Sequence, residues 1–145
     1  MSITAGDLLK TKGYEVLAVT PGATVYEALQ LLAEKNVGAL LVFHFGELVG
    51  IFSERDYARK LVLKGKFSRN TNVRDVMTED VITVEPEDNI VYCMGLMTNK
   101  RIRHLPVVRD GLVVGVISIG DIVKAIIADQ QSTINLLEEY ISGGR

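Results

Sequence analysis

The sequence predicts an α/β (α+β) fold: a tandem pair of β-α-β-β-α units with pseudo-twofold symmetry, plus a C-terminal helix. Three observations predict it. GIFSERD at 50–56 and GVISIGD at 115–121 each place Gly-x-x-Ser-x-x-Asp after a short apolar run. The offset from Gly50 to Gly115, 65 residues, then carries residues 16–60 onto 81–125 without a gap: Val16 onto Val81, Pro21 onto Pro86, Leu40 onto Leu105, Val42 onto Val107 and Gly46 onto Gly111. Such a fixed internal period marks a repeated supersecondary unit. Finally, 145 residues, 48% of them apolar, can bury a core, whereas one unit of about 60 residues is marginal alone. Two units burying their sheet faces together solve that problem.

Each unit opens with a short strand, EVLAV (15–19) or DVITV (80–84), and a Pro follows two residues later. A helix comes next. In the first unit Thr24 and Glu27 form a capping box ahead of Val25, Ala28, Leu29 and Leu32, which recur at helical spacing. In the second unit Ile90, Met94, Leu96 and Met97 take that part, and the methionines read as core filler. Two apolar strands around a tight turn follow, ALLVF–HFGE–LVGIFS and LPVV–RDG–LVVGVIS. The second helix of each unit begins at Ser-x-x-Asp. Upstream of the aligned block, Asp7-Leu8-Leu9 resembles Asp75-Val76-Met77 once three more residues are allowed. After Ala128, STINLLEEYIS predicts a separate helix capped by Ser132 or Thr133 and ended by Gly143-Gly144. Its stripe Ile134, Leu137, Ile141 packs either on its own module or on a partner chain. Along the chain this gives a first repeat at 1–67, a second at 68–128, and a C-terminal helix and tail at 129–145.

A formal net charge of −2 fits a soluble globular chain and argues against a general nucleic-acid binder. Charges interrupt every apolar run, so no membrane span is expected, and the start MSITAGDLLKTKG lacks the pattern of a signal peptide. The single Cys93, within an apolar helical pattern, reads as a buried thiol in a reducing cytoplasm. Charge is uneven: Arg55 to Arg74 holds seven basic residues and one acid, Glu79 to Asp88 five acids and no base. The basic run is either a solvated face or a local positive field suited to phosphate. His44 has no neighbour at metal-ligand spacing, and no metal site, Cys-His pair or P-loop is visible, so no catalytic residue is assigned.

Gly-x-x-Ser-x-x-Asp has two readings. Structurally, Ser at N-cap with an acid at N3 is a capping pattern, and the Gly relieves crowding in a strand. Functionally, a strand end leading into a helix N-terminus offers free N–H groups and a positive dipole end to phosphate. The Ser hydroxyl donates to phosphate, and the Asp carboxylate, acceptor only, suits two hydroxyl donors such as a ribose diol. In that reading Gly lets the ligand approach the backbone. The combination points to a ribonucleotide.

With these residues in view, the chain resembles a CBS-domain pair, or Bateman module, the regulatory domain of cystathionine β-synthase and many other proteins. The resemblance rests on the repeat, on GIFSERD and GVISIGD, on RDVMTEDVITVEPED and on NKRIRHLPVV, and spans residues 5 to 128. It implies a non-catalytic sensor of AMP, ADP or ATP, with NAD or S-adenosylmethionine in some members, and no required cofactor. It also implies roles for residues: Asp56 and Asp121 hold ribose, Ser53 and Ser118 sit by phosphate, and Ala18 and Thr83 line the adenine pockets. In the family each pocket lies between repeats, which puts Arg103 and His104 toward Asp56, and Gly38 and Ala39 toward Asp121. Arg55 and Arg59 in the first element, against Gly120 and Lys124 in the second, make the Asp56 pocket the richer in cations. The resemblance further implies a homodimer and a regulated partner protein. The competing readings are an enzyme, and a structural protein-protein interaction module that binds no ligand, the Ser-Asp elements then being caps alone.

Overall fold

A computed structural model describes residues 2–143. The elements run α1 (Ala5–Lys12), β1 (Ala18–Val19), α2 (Val25–Lys35), β2 (Ala39–His44), β3 (Glu47–Ser53), α3 (Glu54–Asp56), α4 (Ile90–Lys100), β4 (His104–Arg109), β5 (Leu112–Ser118) and α5 (Ile119–Gly143). α3 continues as a π turn, Tyr57–Leu61, and a 3-10 turn, Val62–Lys64; a second 3-10 turn spans Val73–Asp75.

Local chemistry sets these elements. Thr24 caps α2 in a reciprocal box with Glu27, as the sequence predicts, and Asn89 caps α4 by accepting from the Val91 N–H at 2.7 Å. Both hairpins turn on two residues with positive φ, Phe45 at 49° with Gly46 at 80°, and Asp110 at 51° with Gly111 at 79°. Two positive φ values define the type I′ turn, whose twist matches that of the flanking strands. The opening strands pair less than predicted. Ala18–Val19 alone pairs in parallel with β2, and in the second repeat only Val84 bridges to Val107.

The chain divides into two compact units, one of residues 15–83, the other joining 1–14 to 84–145. The repeats follow one another along the chain, but packing cuts it differently: residues 68–83 fold with the first repeat and residues 1–14 with the second. In the first unit Val25 donates to the Thr71 carbonyl, Val73 to Ala23 and Arg74 to Pro21, at 2.9, 2.8 and 3.1 Å. The second unit repeats the scheme, Ile90 donating to Ile3, Ala5 to Asp88 and Gly6 to Pro86, at 2.9, 2.8 and 2.8 Å. Each repeat is therefore completed by the segment that precedes the other. The first core gathers Val25, Ala28, Leu40, Phe52, Val73 and Val76; the second buries Leu9, Ile90, Cys93, Leu105, Ile117 and Ile122.

The C-terminal helix is not separate. α5 runs unbroken from Ile119 to Gly143, and Ser132 and Thr133 lie within it. Thr133 Oγ1 donates back to the Asp129 carbonyl at 3.2 Å and so is absorbed by the helix instead of capping a new one. No Gly or Pro between Ile122 and Ser142 interrupts it. Of the predicted terminator, Gly143 ends the helix and Gly144 lies outside the described residues.

The hairpin glycines make the completing segments fit. A Cβ at Gly50 would stand 2.5 Å from Met77 Sδ, and one at Gly115 would stand 2.6 Å from Leu9 Cδ2. Leu9 and Met77 are the two residues that the sequence aligned. Gly115→Ala is expected to cost about 1–3 kcal/mol by overpacking. Leu9→Ala should absorb part of that cost, so urea unfolding of the double variant should show less than the sum of the two losses; strict additivity would contradict the contact.

Candidate functional site

Both Ser-Asp elements sit where a hairpin strand ends and a helix begins. At β3–α3, the Ser53 N–H and Oγ donate to Asp56 Oδ2 at 2.9 and 3.1 Å, and the Asp56 N–H donates to Ser53 Oγ at 3.3 Å. At β5–α5, the Ser118 N–H donates to Asp121 Oδ2 at 2.8 Å and the Asp121 N–H to Ser118 Oγ at 3.2 Å. Both are thus capping boxes.

What else reaches each carboxylate differs. On Asp56 Oδ1 converge Thr78 Oγ1 and Lys60 Nζ, each at 3.1 Å, and Asp56 is only 6% exposed. The Thr78 backbone pairs with Ile51 in both directions, which fixes its hydroxyl over the acid. On Asp121, Lys12 Nζ reaches Oδ2 at 2.6 Å and also donates to the Val116 carbonyl at 2.7 Å. None of these bonds uses Asp121 Oδ1. Burial acts to raise the Asp121 pKa, but the Lys12 ammonium and the Ser118 N–H outweigh it and hold the carboxyl below its ordinary value. Every buried side-chain nitrogen or oxygen among the described residues has a partner.

Four of the other predicted residues flank these elements along the hairpins. Ala39 is in register with Ser53, and the Gly38 carbonyl accepts from the Glu54 N–H at 3.1 Å. In the other unit His104 is in register with Ser118, and the Arg103 carbonyl accepts from the Ile119 N–H at 2.9 Å. Ala18 is half-buried on β1; Thr83, Arg55, Arg103 and Gly120 are exposed. Of the basic run, Lys60 is bound to Asp56 and Arg69 stacks 4.2 Å over the Tyr26 ring. One expectation changes. The hairpin glycines admit Met77 and Leu9, so their close approach is to protein. A lysine stands on each acid, Lys12 on Asp121 and Lys60 on Asp56. Lys60, Lys12 and Thr78 were missed. Lys60 follows Asp56 by four residues and was legible as a helical ion pair; Lys12 and Thr78 come from the completing segments.

Cys93 is fully buried, and burial raises its pKa to about 11, which makes it an inert core thiol. Among the described residues no group of three His, Cys, Asp or Glu is placed to hold a metal ion, and no helix is long and apolar enough to cross a membrane.

The CBS domain family model matches residues 5–63 and 73–128. The chain therefore belongs to the CBS-domain family, as a tandem pair. It is 43% identical to the mitochondrial CBS domain-containing protein CBSX3 of Arabidopsis thaliana, over 99% of this chain and 74% of that protein. A solved CBS-domain protein from Burkholderia ambifaria is 48% identical with a TM-score of 0.85, covering 88% of this chain and 96% of the other. The CBS-domain pair of protein MJ0100, solved with 5′-methylthioadenosine and S-adenosyl-L-methionine, shares the fold at a TM-score of 0.72 and 24% identity, covering 87% and 97%.

His104 reports on this geometry. Burial lowers its pKa; Lys12 lowers it further, Asp121 pulls it back up, and Arg103 adds to the lowering. Neutral His104 thus contributes stability in full above the unfolded-state pKa near 6.5, and that contribution falls as pH drops through the folded-state value. An NMR titration of the ring should move down in Asp121→Asn and up in Lys12→Met. Shifts in the opposite directions would contradict the Lys12–Asp121–His104 arrangement.

Proposed function

We propose that this chain is a non-catalytic regulatory module that binds an adenosine nucleotide and signals metabolic state to a partner protein. AMP, ADP and ATP are the leading ligands, with NAD and S-adenosylmethionine as variants of the same chemistry. The observation that carries this reading is the pairing of a carboxylate with a lysine ammonium at each Ser-Asp element. At Asp121 the carboxylate can accept ribose hydroxyls on Oδ1 while its other oxygen caps the helix, and Lys12 supplies a cation for phosphate. At Asp56 a ribose diol must share Oδ1 with, or replace, Thr78 and Lys60. The likeness to the MJ0100 pair supports the fold; a ribonucleotide is read from this chain's own residues, and adenosine from its membership of the CBS-domain family. Homodimerisation and cytoplasmic residence belong to the same reading, although the Arabidopsis relative is named mitochondrial.

One observation favours a second reading. The caps at Ser53–Asp56 and Ser118–Asp121 are complete without any ligand, as a structural interaction module would need. Ligand-linked stability separates the two. AMP at 100 times its Kd should raise unfolding stability by about 2.7 kcal/mol. Asp121→Asn, which keeps the shape of the acid, should weaken AMP about tenfold or more at its site, as expected for loss of a charged hydrogen-bond acceptor. Calorimetry finding no heat and no stabilisation with any adenosine ligand would favour the interaction module.

A further inference from the structure

α5 carries a longer pattern than the stripe Ile134, Leu137, Ile141. Val123, Ile127, Gln130, Ile134, Leu137 and Ile141 alternate at spacings of four and three, with the isoleucines at heptad positions a and the others at d. The inner face of the helix packs on its own unit through buried Ile122 and half-buried Ile126. The seam does not: Val123 is 44% exposed, Ile127 60%, Ile134 46%, Leu137 57% and Ile141 79%. From Ala128 to Ser142 every residue is exposed. That stretch is about 22 Å of helix without a packed face, and helices of this length are marginal in isolation.

We propose that the α5 seam pairs with the α5 seam of a second copy of this chain, antiparallel, about a twofold axis level with Ser132. This rests on the homodimer reading and specifies its interface. The seam alone serves either orientation; the flanking charges decide between them. In the antiparallel register Ile127 faces Leu137 of the second copy, Ile134 faces Gln130 and Ile141 faces Val123. The same register puts Lys124 opposite Glu138 of the second copy, and symmetry makes that pair twice. On the other flank Ile126 meets Tyr140. A parallel pair would set Thr133 beside Glu138 and Ile126 beside Gln131, with no opposite charges matched.

The test uses the whole chain. Light scattering should give a dimer mass; a monomer mass would overturn the homodimer reading and the pairing together. Gln130→Cys and Ile134→Cys, mixed in equal amounts under a glutathione redox buffer, should form a 130–134 intermolecular disulfide, identified by peptide mass spectrometry. Wild type is the control, since its Cys93 is buried. Homodisulfides, 130–130 or 134–134, would overturn the antiparallel register. A dimer mass with no disulfide at either position would overturn the α5 interface and leave the homodimer reading standing. Independently, Lys124→Glu should raise the dimer dissociation constant about tenfold, from two lost ion pairs, and Lys124→Glu with Glu138→Lys should restore it. A dissociation constant unmoved by Lys124→Glu would overturn the proposal.

Discussion

Two missing side chains govern the architecture. At Gly50 and Gly115 a Cβ would run into the Met77 and Leu9 side chains, so glycine lets those side chains seat directly against the hairpin. Once Met77 seats on Gly50, Thr78 joins Ile51 by paired backbone bonds and its hydroxyl meets Asp56. Once Leu9 seats on Gly115, α1 ends with Lys12 over the Val116 carbonyl and Asp121. The Gly, Ser and Asp of one short motif thus do linked jobs. Glycine admits the segment, serine and aspartate start the helix, and the segment brings the aspartate its remaining partner.

The two sites are alike in their caps and unlike in what completes them. Asp56 is the more enclosed, with both oxygens engaged by protein donors. Asp121 concentrates its bonds on one oxygen, and its ammonium comes from a helix elsewhere in sequence rather than from the next turn. The cap and Lys12 both draw on Asp121 Oδ2, and neither uses Oδ1. At Asp56 the cap likewise uses Oδ2, but Thr78 and Lys60 engage Oδ1.

Much of this was legible in the sequence. The repeat, the hairpins, the Thr24–Glu27 cap and the reciprocal Ser-Asp boxes all rest on residues within a few positions of one another, where spacing alone determines contact. The alignment of Leu9 with Met77 was visible too, but not that each would serve the other repeat, since nothing local encodes which hairpin a segment completes. Lys12 stayed hidden for the same reason. The break predicted before Ser132 failed because hydroxyls that cap a helix start can equally bond back inside a helix, as Thr133 does to Asp129. The absence of any glycine or proline across that stretch was the better guide.

In the proposed function, the carboxylates at the two helix starts recognise a ribose diol while they cap. The most direct measurement compares AMP with its 2′,3′-dideoxy analogue by calorimetry, in wild type and in Asp56→Asn/Asp121→Asn. Wild type is expected to bind AMP at least about tenfold more tightly than the analogue, and the double variant to bind the two alike. Equal affinity for AMP and the dideoxy analogue in the wild type would contradict it and leave the two aspartates as caps alone.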